Sequence, residues 1–323
     1  MSGTNPSLGV LPGHGRAHAR YRSRPMARAS VSKPDKVLFP ATDGHEAITK
    51  ADLFAYAGRI ADRMLPLVAD RPAVLQRFPD GIDGDGWYQK HTPKHFPDWI
   101  PTVELPKRGG GTVRHPVIDS VDALQYVVNQ GTVSVHVLGG TVARPDVPAE
   151  LLIDLDPSIE DPTQVVEATA AVRALLDELR ITGFVKTTGS RGIHVHVPLR
   201  GDAGFDAIGA LGHHIGALLA RRHPDLLTVE FSKEDRGDRL FVDTLRNAPA
   251  QHAVAPYTLR PRPGAPVAVP LRWDEVDRGW QPDSTPLRAL FRRLGSLTDD
   301  PWAGFDDHRV DAGVVAARLE ELG

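Results

Sequence analysis

Cysteine is absent from the 323 residues of this chain, which excludes disulfides and thiolate metal sites. Any bound metal must therefore have oxygen or imidazole ligands, a donor set that favours Mg²⁺, Mn²⁺, Ca²⁺ or a histidine-rich site. The sequence also lacks any apolar run near the ~20 residues that a membrane helix needs, and it lacks the apolar core of a signal peptide. What remains is the ordinary composition of a globular protein, with 41% hydrophobic and 24% charged residues.

Charge is distributed unevenly along the chain. The net charge is −3, but residues 1–30 contain five arginines and no acid, so the rest has 33 basic and 41 acidic residues, or −8. Bulk charge therefore does not predict nucleic-acid binding, and a polyanion would have to bind at local basic patches. We expect residues 1–30, rich in Gly, Pro, Ser and Arg, to be a disordered basic tail, with Met26 as an alternative start.

From residue 31 the hydrophobic pattern predicts strands and helices in irregular alternation. Thr49 is the expected N-cap of an amphipathic helix over 49–69, and Asp161 and Pro162 are expected to begin another. The order lacks the long βαβ rhythm of a doubly wound sheet, so we predict an α/β (α+β) fold with a mixed sheet. Further helices are predicted at 120–131, 205–222 and 286–294, and strands at 72–78, 102–117 (a hairpin), 132–137, 151–155, 184–187, 193–197, 226–231 and 239–243.

Two aspartates interrupt the apolar segment LLIDLDPS. In a strand, Asp154 and Asp156 share one face with Cα atoms roughly 6–7 Å apart, while Ile153 and Leu155 point the other way. Paired carboxylates raise each other's pKa unless a cation neutralises them. Solvated aspartates at a strand end are the alternative. Asp243, at the end of RLFVD, is either a turn residue or the third carboxylate of a two-metal phosphoryl-transfer site.

A glycine-flanked turn, residues 189–192, lies between the two acidic strands. Its backbone N–H groups, with Ser190 and Arg191, are suited to binding an anion such as phosphate. His194 and His196 share a face of the next strand and are either metal ligands or hydrogen-bonded strand histidines. We favour His194 as a phosphate donor, because the aspartates suit hard cations.

Basic and aromatic residues cluster elsewhere in the chain. Any one cluster is most simply a solvated face, but several around an acidic centre favour a polyanion site, and aromatic residues among cations are typical of surfaces that stack bases. The clusters are Lys33, Lys36 and Lys50; Trp87, Tyr88, Lys90 and His91; Lys107, Arg108 and Arg114; Lys233, Arg236 and Arg239; and Arg246, Arg260 and Arg262.

Over about residues 31–280 the chain resembles the polymerase domain of bacterial DNA ligase D. That domain belongs to the archaeo-eukaryotic primase superfamily and acts in non-homologous end joining. The resemblance implies a primase-polymerase fold, with an RRM-like catalytic module and a packed N-terminal αβ module, over residues 31–300, and a C-terminal extension over 301–323. The segments that carry it are KPDKVLFP, PDGIDGDGWYQK, HFPDWI, LLIDLDPS, KTTGSRGIHVHVPL, RLFVDTLRNA and VAPYTLRPRPGAPVAVPLRWDEV.

The resemblance also implies a role for each matching position. The catalytic, metal-binding residues, for two Mn²⁺ or Mg²⁺ ions, are Asp154, Asp156 and Asp243. Nucleotide binding is implied for His136, Ser190, Arg191, His194, Arg246, Asn247 and Arg260. Binding of a DNA 5′-phosphate is implied for Lys33, Lys36 and Lys50. Template stacking is implied for Trp87 and Tyr88, and primer or end-synapsis contacts for Lys107, Arg108 and Arg236.

The expected activity is templated addition of one or a few nucleotides, preferentially ribonucleotides, to 3′-OH ends at gaps and double-strand breaks. Expected partners are DNA with 5′-phosphorylated gaps or 3′ overhangs, nucleoside triphosphates, Ku, and a separate ATP-dependent DNA ligase, because the chain has no K-x-D-G ligase motif. No membrane association is expected, and the location would be the cytoplasm, at the nucleoid. A metal-dependent nuclease or phosphoesterase, a non-catalytic DNA-end bridging module and primer synthesis from scratch are the alternatives.

Overall fold

The computed structural model describes residues 29–107 and 109–322. Most of the predicted tail, including Met26, lies outside this part of the chain, and so does Arg108. The strands are β1 (Val37–Phe39), β2 (Ile48–Thr49), β3 (Ala73–Arg77), β4 (Trp87–Gln89), β5 (Thr102–Pro106), β6 (Thr112–Pro116), β7 (Thr132–Leu138), β8 (Glu150–Asp156), β9 (Phe184–Thr187), β10 (Ile193–Pro198), β11 (Leu227–Thr228), β12 (Leu240–Asp243), β13 (His252–Val254) and β14 (Pro270–Leu271). The helices are α1 (Lys50–Val68), α2 (Val121–Asn129), α3 (Pro162–Glu178), α4 (Phe205–Arg222), α5 (Lys233–Arg236), α6 (Trp273–Asp277), α7 (Leu287–Ser296) and α8 (Ala312–Glu320).

The larger sheet has six strands in the order β11-β12-β8-β10-β9-β14. Strands β11 and β12 are parallel, and the other pairs are antiparallel, so the sheet is mixed as predicted. Within it, β8-α3-β9-β10-α4-β12 forms a βαββαβ unit whose strands lie in the spatial order 4-1-3-2. This unit is the expected RRM-like module.

The two faces of the larger sheet differ in chemistry. Ile153, Leu155 and Val195 are fully buried in the main hydrophobic core, on the face covered by α3 and α4. Because side chains alternate along a strand, the polar residues Asp154 and His194 lie on the opposite face. Packing of the helices thus fixes the register that presents the polar face.

The N-terminal module contains a four-stranded sheet in the order β13-β7-β3-β4, with α1 and α2 packed together. The two modules share one hydrophobic core, which runs from Leu38 in β1 to Leu319 in α8. A buried hydrogen bond from the Tyr56 hydroxyl to the carbonyl of Tyr257, 2.6 Å long, joins α1 to the segment after β13.

Residues 301–322 pack against the larger sheet. The indole of Trp302 donates a 2.9 Å hydrogen bond to the carbonyl of Val185, and Val310 forms an isolated bridge with Leu199. Val315 and Leu319 of α8 are fully buried. The domain boundary expected at residue 300 stays a prediction, although this segment contributes to the same core. No helix in the described ranges is long and apolar enough to cross a membrane.

One predicted strand is much shorter in the structure. The segment 226–231 forms only β11, Leu227–Thr228. The carbonyls of Glu230 and Phe231 accept hydrogen bonds from the buried guanidinium of Arg236, at 2.9 and 2.8 Å, and therefore do not extend the ladder. The apolar residues of 226–231 could not reveal that the Arg236 side chain competes with a neighbouring strand for these carbonyl oxygens.

The predicted cap of α1 is confirmed and forms a capping box. The backbone N–H of Asp52 donates to the Thr49 hydroxyl, and the backbone N–H of Thr49 donates to the Asp52 carboxylate. We expect Thr49→Ala to lower the free energy of unfolding by about 1 kcal/mol, because a helix-end N–H loses its acceptor. Thr49→Ser keeps that acceptor and serves as the control in urea denaturation; equal losses in both variants would contradict the capping role.

Candidate active site

A row of four polar residues crosses the larger sheet. Asp154 on β8 pairs directly with Asp243 on β12 and with His194 on β10, and His194 pairs with Lys186 on β9. Directly paired residues in a sheet share a face, and their Cα atoms lie roughly 4.5–5.5 Å apart. Asp156, two residues from Asp154, joins the same face. The structure therefore brings the three predicted catalytic aspartates together.

The three carboxylates differ in electrostatic state. Burial opposes ionisation of Asp154, but His194, Arg246 and Lys186 outweigh it and hold the pKa of Asp154 below its usual value. Burial and the charge of Asp154 raise the pKa of Asp156 and of Asp243. Two of the three acids are thus destabilised as anions and would gain from a nearby cation.

A guanidinium lies at the centre of this acidic group. Arg246 Nε is 3.4 Å from Oδ2 of Asp154 and 3.5 Å from Oδ2 of Asp243. Across the described ranges, no three His, Asp or Glu side chains are arranged so that they could hold one metal ion. The donor chemistry nevertheless fits hard divalent cations, since Asp154, Asp156 and Asp243 offer only carboxylate oxygens. In the protein alone, the Arg246 guanidinium is the cation that lies against two of them.

The predicted anion-binding turn follows β9. Its start is held by Thr188, whose hydroxyl accepts hydrogen bonds from the N–H groups of Ser190 and Gly192. Gly189 adopts φ +65°, and a Cβ there would lie 2.8 Å from Cγ of Arg260. Arg260 also donates a 2.9 Å hydrogen bond to the Thr188 carbonyl. Glycine is needed here because of both the left-handed φ and the close approach of Arg260.

Arg191 is the exposed member of this turn. Its charge lowers the pKa of Asp156, against the stronger effects of burial and Asp154. The side chain therefore lies near the catalytic face, where an anion bound beside Asp156 would meet it.

Several buried polar atoms around the acidic row have no hydrogen-bond partner. They are Nε2 of His136, Nδ1 of His194 and Nε of Arg260. Burial lowers the pKa of His194 to about 3 and the pKa of His136 well below its ordinary value, so both imidazoles are neutral near pH 7. Buried polar groups are normally paired. Three unpaired atoms on residues predicted to bind the nucleotide indicate that a polar ligand completes the site.

Asn247 has a different local role from its neighbour Arg246. Its side-chain oxygen accepts from the N–H of Leu152, and its amide donates to the carbonyls of Leu152 and Thr244, at 2.7–2.9 Å. Both N–H groups and the oxygen of the side chain are thus committed to joining β8 to the turn after β12. Nucleotide binding by Asn247 stays a prediction, while its bonds position the strand that carries Asp154.

The three N-terminal lysines do come together. Lys50 is buried, and its pKa is lowered by burial and by the charges of Lys36 and Lys33. Its ammonium donates to the hydroxyl of Ser32 at 3.0 Å. Lys36 forms a 2.7 Å ion pair with the exposed Asp80. Three neighbouring ammonium groups attract an anion. In the protein alone, the Asp80 carboxylate fills this role for Lys36.

Trp87 and Tyr88 are exposed on the edge strand β4 and, as consecutive residues, point to opposite faces. The Tyr88 ring lies 5.2 Å from His136 and 5.3 Å from His252, on the side of the predicted nucleotide pocket. The Trp87 ring instead lies 5.2 Å from the guanidinium of Arg77. Tyr88 is therefore the member of the pair placed nearest the site, and stacking by either residue stays a prediction.

The predicted primer and synapsis residues lie in two places. Lys107 is exposed at the tip of the β5–β6 hairpin, and Arg108 beside it lies outside the described residues. Arg236 is buried over the Phe241 ring at 3.8 Å, and Phe241 pairs with Asp156. Arg236 therefore supports the loop next to the catalytic strand, and the loop presents Phe231, which is 72% exposed.

Three residues of the site were not predicted. Lys186 ends the polar row and is fully buried, His252 lies with its Nδ1 3.2 Å from Nδ1 of His136, and Phe231 is exposed beside the catalytic face. Lys186 is the one charged residue of the short strand FVKT, directly after two apolar residues, and this position could have marked it as a buried lysine. The position of His252 depends on pairing of β13 with β7, which the sequence did not indicate.

Comparison with known proteins identifies the family and the fold. The family profile described as the LigD primase-polymerase domain matches residues 49–302. The chain belongs to this family. Family membership confirms the resemblance inferred from the sequence motifs, and because primase-polymerases are nucleotidyltransferases, the chain is an enzyme of that class.

Individual relatives support the assignment over different lengths. The polymerase domain of Mycobacterium tuberculosis ligase D, solved in complex with DNA, superposes with a TM-score of 0.79 at 30% identity, covering 88% of this chain and 99% of that one. The multifunctional non-homologous end joining protein LigD of Pseudomonas aeruginosa is 32% identical over 97% of this chain. The bifunctional LigD of Bacillus subtilis is 29% identical over 80%. The chain spans only 37% and 41% of these two relatives.

The buried Lys186 predicts a dependence of stability on pH. Burial, aided by Arg260, lowers its pKa from 10.5 to about 7. Between pH 7 and 10.5 the unfolded chain holds a proton on this lysine that the folded chain lacks, so this group makes wild-type stability rise with pH. Lys186→Met should raise the free energy of unfolding by roughly 1–4 kcal/mol at pH 7, and this gain should shrink towards pH 10.

Urea denaturation of the metal-free protein at both pH values measures the effect. Lys94→Met is the matched control, because that side chain is exposed and its replacement removes no buried charge. A gain of equal size at the two pH values would contradict the electrostatic origin.

Proposed function

We propose that this LigD-family polymerase domain adds one or a few nucleotides, with a preference for ribonucleotides, to the 3′-OH of a primer at 5′-phosphorylated gaps and double-strand breaks. The observation that carries the proposal is the direct pairing of Asp154 with Asp243, with Asp156 on the same face and unpaired polar atoms of His136, His194 and Arg260 around them. Carboxylates that can hold divalent cations, next to an unfilled set of anion-binding groups, match the needs of nucleotidyl transfer.

The chain's own residues would hold the triphosphate. The Ser190 hydroxyl and the Arg191 side chain would contact an anion at the turn after β9, and Arg260 holds the backbone of that turn through the Thr188 carbonyl. His194 lies between this turn and Asp154, with Nε2 3.3 Å from the carboxylate. Since neutral His194 has its proton on Nε2, beside Asp154, its Nδ1 presents a lone pair. It would donate to a bound phosphate oxygen once the ring takes up a second proton at Nδ1, which the negative charge of a triphosphate favours. Together these groups orient the α-phosphate towards the carboxylate row.

Asp154, Asp156 and Asp243 would hold two divalent ions, Mn²⁺ or Mg²⁺. When bound, such ions supply Lewis-acid activation of the primer hydroxyl and charge stabilisation at the leaving pyrophosphate. The protein contributes a fixed carboxylate row, because β8 and β12 are hydrogen-bonded neighbours and Asn247 anchors β8. Arg246 would move from the carboxylates to the nucleotide as cations enter.

The DNA surfaces would surround this centre. Lys33, Lys36 and Lys50 would bind the 5′-phosphate, Tyr88 and Trp87 the template, and Lys107 and Arg108 the primer or a synapsed end. Arg236 is buried, so its part would be to hold the loop that presents Phe231. The relatives' names assign them to non-homologous end joining. We propose the same pathway for this chain, with Ku and an ATP-dependent DNA ligase on other chains as partners, and a location at the nucleoid.

Asp154→Ala tests the catalytic assignment. We expect templated primer extension with Mn²⁺ or Mg²⁺ to fall at least about a thousandfold, because the shared carboxylate of the row is lost, while binding to gapped DNA persists. Asp146→Asn, at an exposed acid outside the row, is the control. Extension by Asp154→Ala at the wild-type rate would overturn the assignment.

The same assay separates a polymerase from a metal-dependent nuclease. Labelled gapped DNA is incubated with Mn²⁺, with and without nucleoside triphosphates, and both ribo- and deoxyribonucleotides are compared. Lengthening that requires triphosphates supports the proposal. Shortening in their absence, abolished by Asp154→Ala, would assign the acidic row to hydrolysis instead.

Substitutions of Lys36 and of Asp80 should have opposite effects on the 5′-phosphate site. Lys36→Ala should reduce the preference for a 5′-phosphorylated over an unphosphorylated gap about tenfold, because a charge-assisted contact is lost. Asp80→Asn removes the carboxylate that pairs with Lys36 and should preserve or strengthen that preference. The ratio of extension rates on the two gaps is the measurement, with Arg144→Ala as an exposed control. A ratio unaffected by Lys36→Ala would remove this lysine from the site.

A further inference from the structure

A cavity lies on the polar face of the larger sheet, beyond the acidic row. It has a volume of about 720 Å³, within the usual size range of small-molecule sites. Its walls are the C-terminal half of α1, the segment around β13, the ends of β8 and β10, and residues 300–309. None of the predicted nucleotide-binding or catalytic residues lines it, so the cavity is distinct from the candidate active site.

The floor of the cavity is aromatic and apolar. Trp302 and Phe305 stack on each other with ring centres 5.2 Å apart and planes within 10°. Val137, Val254 and Pro256 complete this surface. Such a floor favours a ligand with a flat or apolar body over a fully hydrated ion.

One buried imidazole on the floor, that of His196, has no aligned hydrogen-bond partner at either ring nitrogen in the described residues. His196 is 3% exposed, lines the cavity and packs edge-on against Trp302 at 4.9 Å. Its Nδ1 lies 3.1 Å from Oε2 of Glu150, and the charge of this carboxylate favours the tautomer with the proton on Nδ1 although the contact is not an aligned hydrogen bond. Its Nε2 then presents a lone pair and has no hydrogen-bond partner in the described residues. A ligand that donates a hydrogen bond would satisfy it.

The charges around the cavity are not balanced. Six carboxylates and three arginines line it, and each arginine is paired: Arg63 with Asp300, Arg71 with Glu150 and Arg309 with Asp306. The other three acids form no ion pair with a residue that the structure describes; they are Asp62, Asp70 and Asp307. All three are exposed, so they create a negative mouth above the apolar floor. Phosphates and nucleic acid would be repelled there, and a cation would be attracted.

We propose that this cavity binds a small organic cation, with an apolar or aromatic body on Trp302 and Phe305 and an ammonium, amidinium or guanidinium group that donates to Nε2 of His196 beneath the acidic mouth. The site would bind its ligand independently of the nucleotide. The proposal goes beyond nucleotidyl transfer and does not rest on it, since no residue of the acidic row takes part.

A ring-matched series of probes tests the required chemistry. Benzamidine, benzamide and benzoate share one aromatic ring and differ in charge and in N–H donors. Calorimetric titration into the full-length protein should give binding in the order benzamidine, then benzamide, then benzoate. Added salt should weaken the binding of benzamidine but not the binding of benzamide, since only benzamidine is charged. Benzoate binding as tightly as benzamidine, or no benzamidine binding, would overturn the proposal.

Variants locate the binding. The pair Asp70→Asn and Asp307→Asn should weaken benzamidine about fivefold and leave benzamide unchanged, because two exposed attractions are removed. The matched control changes two exposed acids that do not line the cavity, Asp206→Asn and Asp283→Asn, and should change nothing. If both pairs weakened benzamidine binding equally, the effect would come from the net charge of the protein, and the proposed site would be wrong.

Two further arms test the acceptor and the separation from the active site. His196→Phe keeps an aromatic ring against Trp302 but removes Nε2, so it should weaken the binding of both benzamidine and benzamide. Thermal melting checks that this variant folds. If it does not fold, the variant pair Asp70→Asn and Asp307→Asn decides the test. Saturating GTP with Mg²⁺ should not displace benzamidine. Competition between them would place benzamidine in the nucleotide site and overturn the proposal.

Discussion

The burial of charged residues on one face of a single sheet is the constraint on which the site depends. Asp243, Asp154, His194 and Lys186 lie side by side on four adjacent strands, and Asp154, His194 and Lys186 are buried. Buried charges are costly unless they are paired. The protein alone meets this cost with Arg246 between two carboxylates and with neutral imidazoles, an arrangement that entering cations and phosphates could replace.

Rigidity of the row comes from the opposite face of the same strands. Ile153, Leu155 and Val195 are fully buried under α3 and α4, and slipping β8 by one residue would exchange them with the aspartates. The hydrophobic core therefore sets the spacing of the carboxylates. Asn247 adds a polar restraint by bonding both backbone groups of Leu152.

The same polar face continues past the acidic row to Glu150 and His196, where a different environment begins. There Arg71 neutralises Glu150, and Trp302 packs edge-on against His196. Because side chains alternate along β8 and β10, one face of these strands carries two chemically different regions. One has cationic side chains and unpaired polar atoms around three acids, which suits a nucleotide with metal ions. The other is apolar with an acidic mouth, which suits a cation.

The sequence by itself determined helices α1 to α4 and α7, the main strands, the three aspartates and the family, because periodicity, caps and ordered motifs are local properties of the chain. It did not indicate α5, α6 or α8. Only the tertiary structure decided that Lys186 ends the polar row, that Arg246 lies between two aspartates, that Asn247 is committed to the backbone, and that Trp87 and Tyr88 face different neighbours. These facts depend on strand order and register, which join residues up to about a hundred positions apart. Likewise, Arg236 binds the carbonyls of Glu230 and Phe231, so strand β11 is shorter than the apolar residues of 226–231 predicted.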